Sequence, residues 1–499
     1  MLRMRPNVLF VTLDQFRGDS LSCAGHPLVR TPNLDAIAAQ GVRLSRHYAQ
    51  AAPCAPGRAA LYTGTYQMTN RVVANGTPLD FGFDNIARAG LRAGYHPVMF
   101  GYTDQGADPR QITDPNDPRL SNWEGVLPGF EEVLCLDERH APWLEWLGEL
   151  GYEGAILNDP DLALDTENER PAEHSVTQFL TDQFLKWLDQ HDADADEPWF
   201  AHTSFIRPHP PYVAAGHYAT MYDPANCPAA LPIPEQRHRL HDVLLGVSSV
   251  SAPIDPSELA HLKAQYYGMI SEVDAHLGRI CDELKARGEW DTTLIIITAD
   301  HGEQLGDQGL QQKCGWFESS YHIIGIVRDP AQPAGHGTVI TDFTENVDIM
   351  PTLCEAIGVP VPLQCDGVPL TELLRGERPT RWRTAAHYEW DWRDTYIPGG
   401  VTEPSWDRRL ERYNLAVLRT DSHAYVQFGN GDWLCYNLAA DPTWLTLETD
   451  AAVVLPLAQQ MLLWRQHHLD RTLTGMLLRN GGIGRRVEAT ATGQSQPGR

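Results

Sequence analysis

Apolar positions along the chain fall into two kinds of run. Short, nearly unbroken ones occur at Asn7–Leu13 (NVLFVTL), His96–Gly101, 197–205 (EPWFAHTSF) and 292–300 (TTLIIITAD). Runs of this length predict strands of a parallel sheet, buried on both faces. Between them apolar residues recur at helical spacing. One predicted helix has Thr31 as its cap, Pro32 at its first position and Gly41 at its end. Residues 42–49 then read as extended, and a second helix opens at Cys54. A third precedes Gly94, and the longest covers 257–288. A further one lies in ENVDIMPTLCEAIG, capped by Asn346 or Asp348 and closed by Gly358. Alternating strands and helices predict an α/β fold, a mostly parallel sheet sandwiched between helices.

After about residue 378 the pattern changes. The aromatic-rich segments AAHYEWDW, NLAVLRT, HAYVQFG and DWLCYNL are separated by turn signals such as GNGD. They predict a small antiparallel sheet, followed by a helix over 451–468. The expected organisation is a large α/β domain over 1–378 and a smaller C-terminal α+β subdomain over 379–484. The small, polar tail 485–499 is expected to be disordered. Segments 110–195 and 215–255 carry no motif that this reading resolves.

Charge narrows the function classes. The 499 residues carry 39 Lys+Arg against 65 Asp+Glu, a formal net charge of −26. Such a surface repels nucleic-acid backbones and anionic lipid, so neither is an expected partner. Any anion pocket must then be built from a few placed cations. The first apolar run ends at Asp14, too short for a secretory leader, and no run of 18 apolar residues follows; the expectation is a cytoplasmic protein. The nine cysteines show no paired spacing, which fits free thiols.

Two of the predicted strands end in acid: NVLFVTL in Asp14, and TTLIIITA in Asp300-His301-Gly302. Ligands of open parallel sheets sit at the carboxyl ends of strands. Two carboxylates and an imidazole converging there make a divalent-metal constellation, although each acid alone could simply cap a turn. Cys54 stands at a helix entrance with Pro56 in the first turn, where the helix N-terminus is expected to lower the thiol pKa. A buried structural cysteine is the plainer alternative. Only three residues separate Cys54 from Arg58, too few for the loop of a cysteine phosphatase.

Cys54-x-Pro56-x-Arg58, followed by Leu61, Thr63 and Gly64, resembles the sulfatase signature of the alkaline phosphatase superfamily. The flanks NVLFVTLDQFRGD, TPNLDAIAAQGV, TLIIITADHGEQLGD, VDIMPTLCEAIG and DGVPLTELLRGE agree with it. The branch of phosphonate monoester hydrolases, phosphodiesterases and related arylsulfatases is suggested by GYTDQGADPR, RPHPPYVA, HGEQLGDQGLQQKCGW, AAHYEWDWRD and DRTLTG. The resemblance implies an alkaline phosphatase-like fold and a cysteine converted to Cα-formylglycine by a formylglycine-generating enzyme. One hydroxyl of the aldehyde hydrate would attack sulfur or phosphorus. The second would then expel the sulfate or phosphonate by C–O cleavage.

Residue by residue, the resemblance implies that Asp14, Asp300, His301 and the modified Cys54 bind one divalent metal. Arg58 would hold the diol, and Lys313 would contact the ester oxygens. His209 would protonate the leaving group, and Tyr102 would bond a substrate oxygen. The family often has a second acid after the first; here it is Gln15. It often has Asn where this chain has His301, which moves the metal preference from Ca²⁺ toward Mn²⁺, taken as the first choice, or Fe²⁺ or Zn²⁺. Asp104 replaces a threonine of the nearest branch and would repel a second negative charge on the substrate. The expected substrates are small monoanionic esters: sulfate monoesters, phosphonate monoesters and phosphodiesters. A dimer or tetramer is expected from the same resemblance. The alternatives are a metal-binding pseudoenzyme that keeps the Cys54 thiol, or a phosphomutase or pyrophosphatase on the same sheet.

Overall fold

The computed structural model describes residues 5–191, 197–392 and 413–468, together with the strands Met476–Arg479 and Gly482–Arg486. Its centre is an eight-stranded sheet. Strand Asn7–Leu13 lies between Thr293–Thr298 and Phe200–Phe205, parallel to both, and Pro97–Gly101 continues the parallel set. Strand Gly325–Arg328 pairs antiparallel with Thr293–Thr298, so the sheet is mostly parallel, as expected. Alternate residues of the first strand supply two cores. Leu9, Val11 and Leu13 pack with the helices Pro32–Ala39, Val176–Asp189 and Pro256–Ala286. Val8 and Phe10 pack with Cys54–Thr63, Ile86–Arg92 and Ile349–Ile357 on the other face. Burial on both faces is the reason these strands are apolar throughout.

The carboxyl ends of four neighbouring strands define one edge. Asp14 follows the first strand, Asp300 stands two residues beyond Thr298, Tyr102–Asp104 follows Gly101, and His209 follows Phe205. Helix Cys54–Thr63 reaches that edge because its near side is small. A Cβ on Gly57 would stand 2.4 Å from the Asp300 carbonyl oxygen, so only glycine fits there.

A second sheet runs Trp433–Asn437, His423–Phe428, Asn414–Thr420, Ala385–Asp391 and Ala51–Ala52. Its first four strands are antiparallel neighbours, as the sequence predicts. Its fifth is not C-terminal: Ala51 and Ala52 pair parallel with Glu389 and Trp390, so the C-terminal sheet holds the residues that lead into Cys54.

Several local expectations are corrected. Thr31 occupies the N-cap position, but its hydroxyl contacts Ser22 and Asp35 instead of capping. Of the two expected caps, Asp348 stands at the N-cap position of helix Ile349–Ile357, which Gly358 closes, but its side chain makes no capping bond there. Its carboxylate instead completes a reciprocal box with Glu345, the cap of the preceding turn Asn346–Asp348. The unread segment 110–195 contains the helices Ala141–Glu149 and Val176–Asp189. Arg485 and Arg486 of the expected tail fall in strand Gly482–Arg486. Residues 487–499 and DRTLTG (470–475) lie outside the described residues. None of the nine cysteines is joined in a disulfide. Among the described residues, no helix is long and apolar enough to cross a membrane.

Candidate active site

Asp14, Cys54, Asp300 and His301 converge at the sheet edge, all buried, with one donor atom of each within 4.8 Å of the others. His301 donates Nδ1–H to the Gly302 carbonyl at 3.1 Å, which leaves the Nε2 lone pair facing inward. That nitrogen lies 3.3 Å from Cys54 Sγ, 3.9 Å from Asp14 Oδ1 and 3.8 Å from Asp300 Oδ2. Burial, then Lys313, lowers its pKa to about 3, so the ring is neutral and able to ligate. Asp14 Oδ1 is buried with no hydrogen-bond partner. An orphaned carboxylate oxygen beside a thiol, a second carboxylate and an imidazole lone pair fits one divalent cation. Among the described residues no second group of this kind occurs.

Arg58 binds this cluster together. It is fully buried. Its Nε donates to Asp300 Oδ2 at 2.9 Å and lies 3.3 Å from Asp104 Oδ2. Its Nη2 donates to Asp14 Oδ2 at 3.0 Å, and its Nη1 donates to Ser204 Oγ at 2.8 Å and to the Tyr102 carbonyl at 3.2 Å. The guanidinium is thus occupied by carboxylates and the sheet edge. The Tyr102 hydroxyl also faces the cluster and donates to Asp14 Oδ2 at 2.6 Å.

Lys313 and His209 form the opposite wall. Lys313 Nζ donates to Gln15 Oε1 at 3.0 Å and lies 2.9 Å from His209 Nε2. His209 Nδ1 donates to the Pro210 carbonyl at 2.7 Å, so Nε2 is the acceptor of the lysine's proton. Desolvation, then the lysine charge, lowers the His209 pKa to about 3. The two residues are thus joined by one N–H···N hydrogen bond, with the imidazole neutral. Gln15, with φ 66°, is a residue the motif reading passes over except as a missing acid. Its backbone N–H donates to Asp300 Oδ1 at 3.1 Å, and its Nε2 donates to Glu303. Glu303 also accepts from Tyr212 Oη, Leu305 N and Gln312 N, which fixes the loop that carries Lys313. Asn75 Oδ1 accepts from the Ala55 N–H at 3.0 Å at the helix entrance. Only its position soon after the Cys54 helix could have signalled it.

The thiol does not behave as the helix position predicts. Burial raises the Cys54 pKa well above its ordinary value, and Asp14, Asp300 and Asp104 add to the effect against Lys313. Burial first, with three carboxylates adding to it, outweighs a helix N-terminus. An unmodified Cys54 is consequently protonated and a weak nucleophile.

A family model described as Sulfatase matches residues 6–359. The chain belongs to the sulfatase family. A second model, N-sulphoglucosamine sulphohydrolase, C-terminal, matches residues 306–461. The multifunctional alkaline phosphatase superfamily protein PehA of Trinickia caryophylli is 34% identical, over 94% of this chain and 97% of its own. An arylsulfatase of Clostridium perfringens is 27% identical, over 77% and 82%. Among solved structures, the phosphonate monoester hydrolase of Agrobacterium radiobacter superposes with a TM-score of 0.87 at 40% identity, covering 97% of this chain and 100% of that one. This sulfatase is thus a hydrolase acting on ester bonds, with a fold shared along nearly its whole length.

Proposed function

We propose that this protein hydrolyses small monoanionic esters of sulfate, phosphonate or phosphodiester type. The reading takes residue 54 as formylglycine and one divalent ion, Mn²⁺ first, held by Asp14, Asp300, His301 and residue 54. The ion would act as a Lewis acid beside the nucleophile. The hydrated aldehyde would supply one hydroxyl for attack and a second for release of the oxyanion. Arg58 keeps Asp14 and Asp300 oriented and favours the ionised form of both. Lys313, held by Gln15, lies where it can bind the non-bridging oxygens. The Lys313–His209 pair delivers a proton to the departing oxygen.

The observation that carries the substrate class is the local charge. Once all three are ionised, as ligation would require of the metal ligands, Asp14, Asp300 and Asp104 would stand against Arg58 and Lys313 with one negative charge in excess. A divalent cation turns this into one positive charge, matched by a monoanionic ester and exceeded by a phosphate monoester. Asp104 is decisive in that balance. We expect kcat/KM for an aryl sulfate, a phenylphosphonate monoester or an aryl phosphodiester to exceed that for the matched aryl phosphate monoester. Asp104→Asn should narrow the gap by roughly 10- to 100-fold, the Coulomb effect of one charge a few ångströms away in a partly screened site. A wild-type enzyme that prefers the phosphate monoester contradicts this reading.

A further inference from the structure

The loop that carries His209 leaves strand Phe200–Phe205 and contains Pro208, Pro210 and Pro211. Three of its residues lack an amide N–H, so it has few donors with which to fix its own carbonyls. Arg207 supplies them from a fully buried position. Its Nη1 donates to the His209 carbonyl at 3.0 Å and to the Pro211 carbonyl at 2.8 Å. Its Nε, at 3.2 Å, and its Nη2 both donate to Glu167 Oε2. Glu167 is 1% exposed, and its other oxygen accepts from Val176 N at 2.9 Å, at the start of helix Val176–Asp189. A second buried carboxyl, Glu272, is pushed up to about 8, first by burial and then by Glu167. Of the two buried acids, Glu167 is the one that pairs with Arg207.

A buried ion pair is a poor source of stability, because desolving both charges offsets their attraction. This one does something a hydrophobic pair cannot: it clamps the His209 and Pro211 carbonyls, the backbone that leads out of the His209 imidazole. We propose that Arg207, fixed by Glu167, is a positioning residue that holds His209 Nε2 against Lys313 and so governs protonation of the leaving group. Neither residue touches the reacting atoms. The otherwise unread segment around residue 167 thereby acquires a part in the chemistry. The inference rests on the proposed ester hydrolysis, in which the Lys313–His209 pair is the acid.

The test is the dependence of kcat/KM on the leaving group, from 4-nitrophenol to phenol, for wild type, Glu167→Gln, Arg207→Lys, His209→Ala and the His209→Ala/Glu167→Gln double variant. Glu167→Gln should lose about 10- to 100-fold with phenol but stay within about 3-fold with 4-nitrophenol, which needs little proton transfer. The loss should fall on kcat more than on KM. The double variant should be no slower than His209→Ala. An equal loss for every leaving group, or fully additive losses in the double variant, would overturn the proposal and leave a structural role. If Arg207→Lys does not fold, as judged by its Tm, Glu167→Gln decides the question because it keeps the side chain's shape. A wild type inactive on every aryl ester removes the ester-hydrolase reading, and this inference with it. An active wild type with unchanged leaving-group dependence in the variants removes this inference alone.

Discussion

Cys54→Ala is expected to lower kcat/KM by at least about 10⁴-fold, the scale of losing a covalent nucleophile. The change should cost little stability, because it removes one sulfur atom from a helix whose other contacts are untouched: about 1 kcal/mol. Cys54→Ser separates the two halves of the cycle. A serine hydroxyl can attack the ester once and release the phenol, but it has no second hydroxyl to expel the bound oxyanion. The expected result is a burst of up to one phenol per chain followed by arrest, seen in a stopped-flow trace. Steady turnover by the serine variant would mean that water attacks the sulfur or phosphorus centre directly. Full activity of the alanine variant would remove residue 54 from the chemistry. The high pKa of the buried thiol makes the same point from the other side, since Cys54 as it stands is held protonated by burial and by Asp14.

The second large effect is expected at Arg58. Arg58→Met keeps much of the volume but leaves Asp14, Asp300 and Asp104 without their shared cation in a buried site. Breaking a buried pair in this way costs about 3–5 kcal/mol. Loss of the oriented carboxylates should lower turnover by at least about 10³-fold. The stability loss should depend on pH with a definite sign. Burial already raises the pKa values of Asp104 and Asp300, each to about 7. An acid whose folded-state pKa is raised binds its proton in the folded state first, so it favours folding at low pH and opposes it as pH rises. Removing Arg58 should raise both values further. Thermal melts of the metal-free protein should then show a larger gap between variant and wild type at pH 8 than at pH 5. A gap that widens on acidification would contradict the proposed charge arrangement.

The parts of the fold that can be read from sequence are those where burial leaves no choice of residue. Residues 8–13 and Thr293–Thr298 are buried throughout, so every position is apolar or a small threonine, and larger polar residues mark the strand ends. That is why Asp14 and Asp300-His301 can be placed at one edge, and why Cys54 and Arg58 follow from their helix. What cannot be read depends on partners far away along the chain. Gln15 is informative only once Lys313, 298 positions later, is seen to donate to it. The pairing of Ala51–Ala52 with residues near 390 cannot be inferred from a two-residue strand. The thiol misleads because a helix N-terminus is a local feature, whereas the burial that opposes it, and the three carboxylates that add to it, are made by three separate strand ends. The helix Val176–Asp189 does carry a signal: Ser175 caps it, and apolar residues at 176, 179, 180, 184 and 188 form its buried face. The short neighbouring elements obscure it.

The proposed chemistry stands or falls on one residue. A mass measurement of the tryptic peptide containing residue 54, from the purified active protein, probes it without intermediaries. The expected peptide is lighter than the encoded sequence by the difference between a CH₂SH group and an aldehyde, and is captured by an aldehyde-specific hydrazine probe. A fully active preparation whose peptide has the encoded mass, and whose Cys54 alkylates as a thiol after unfolding, would contradict it.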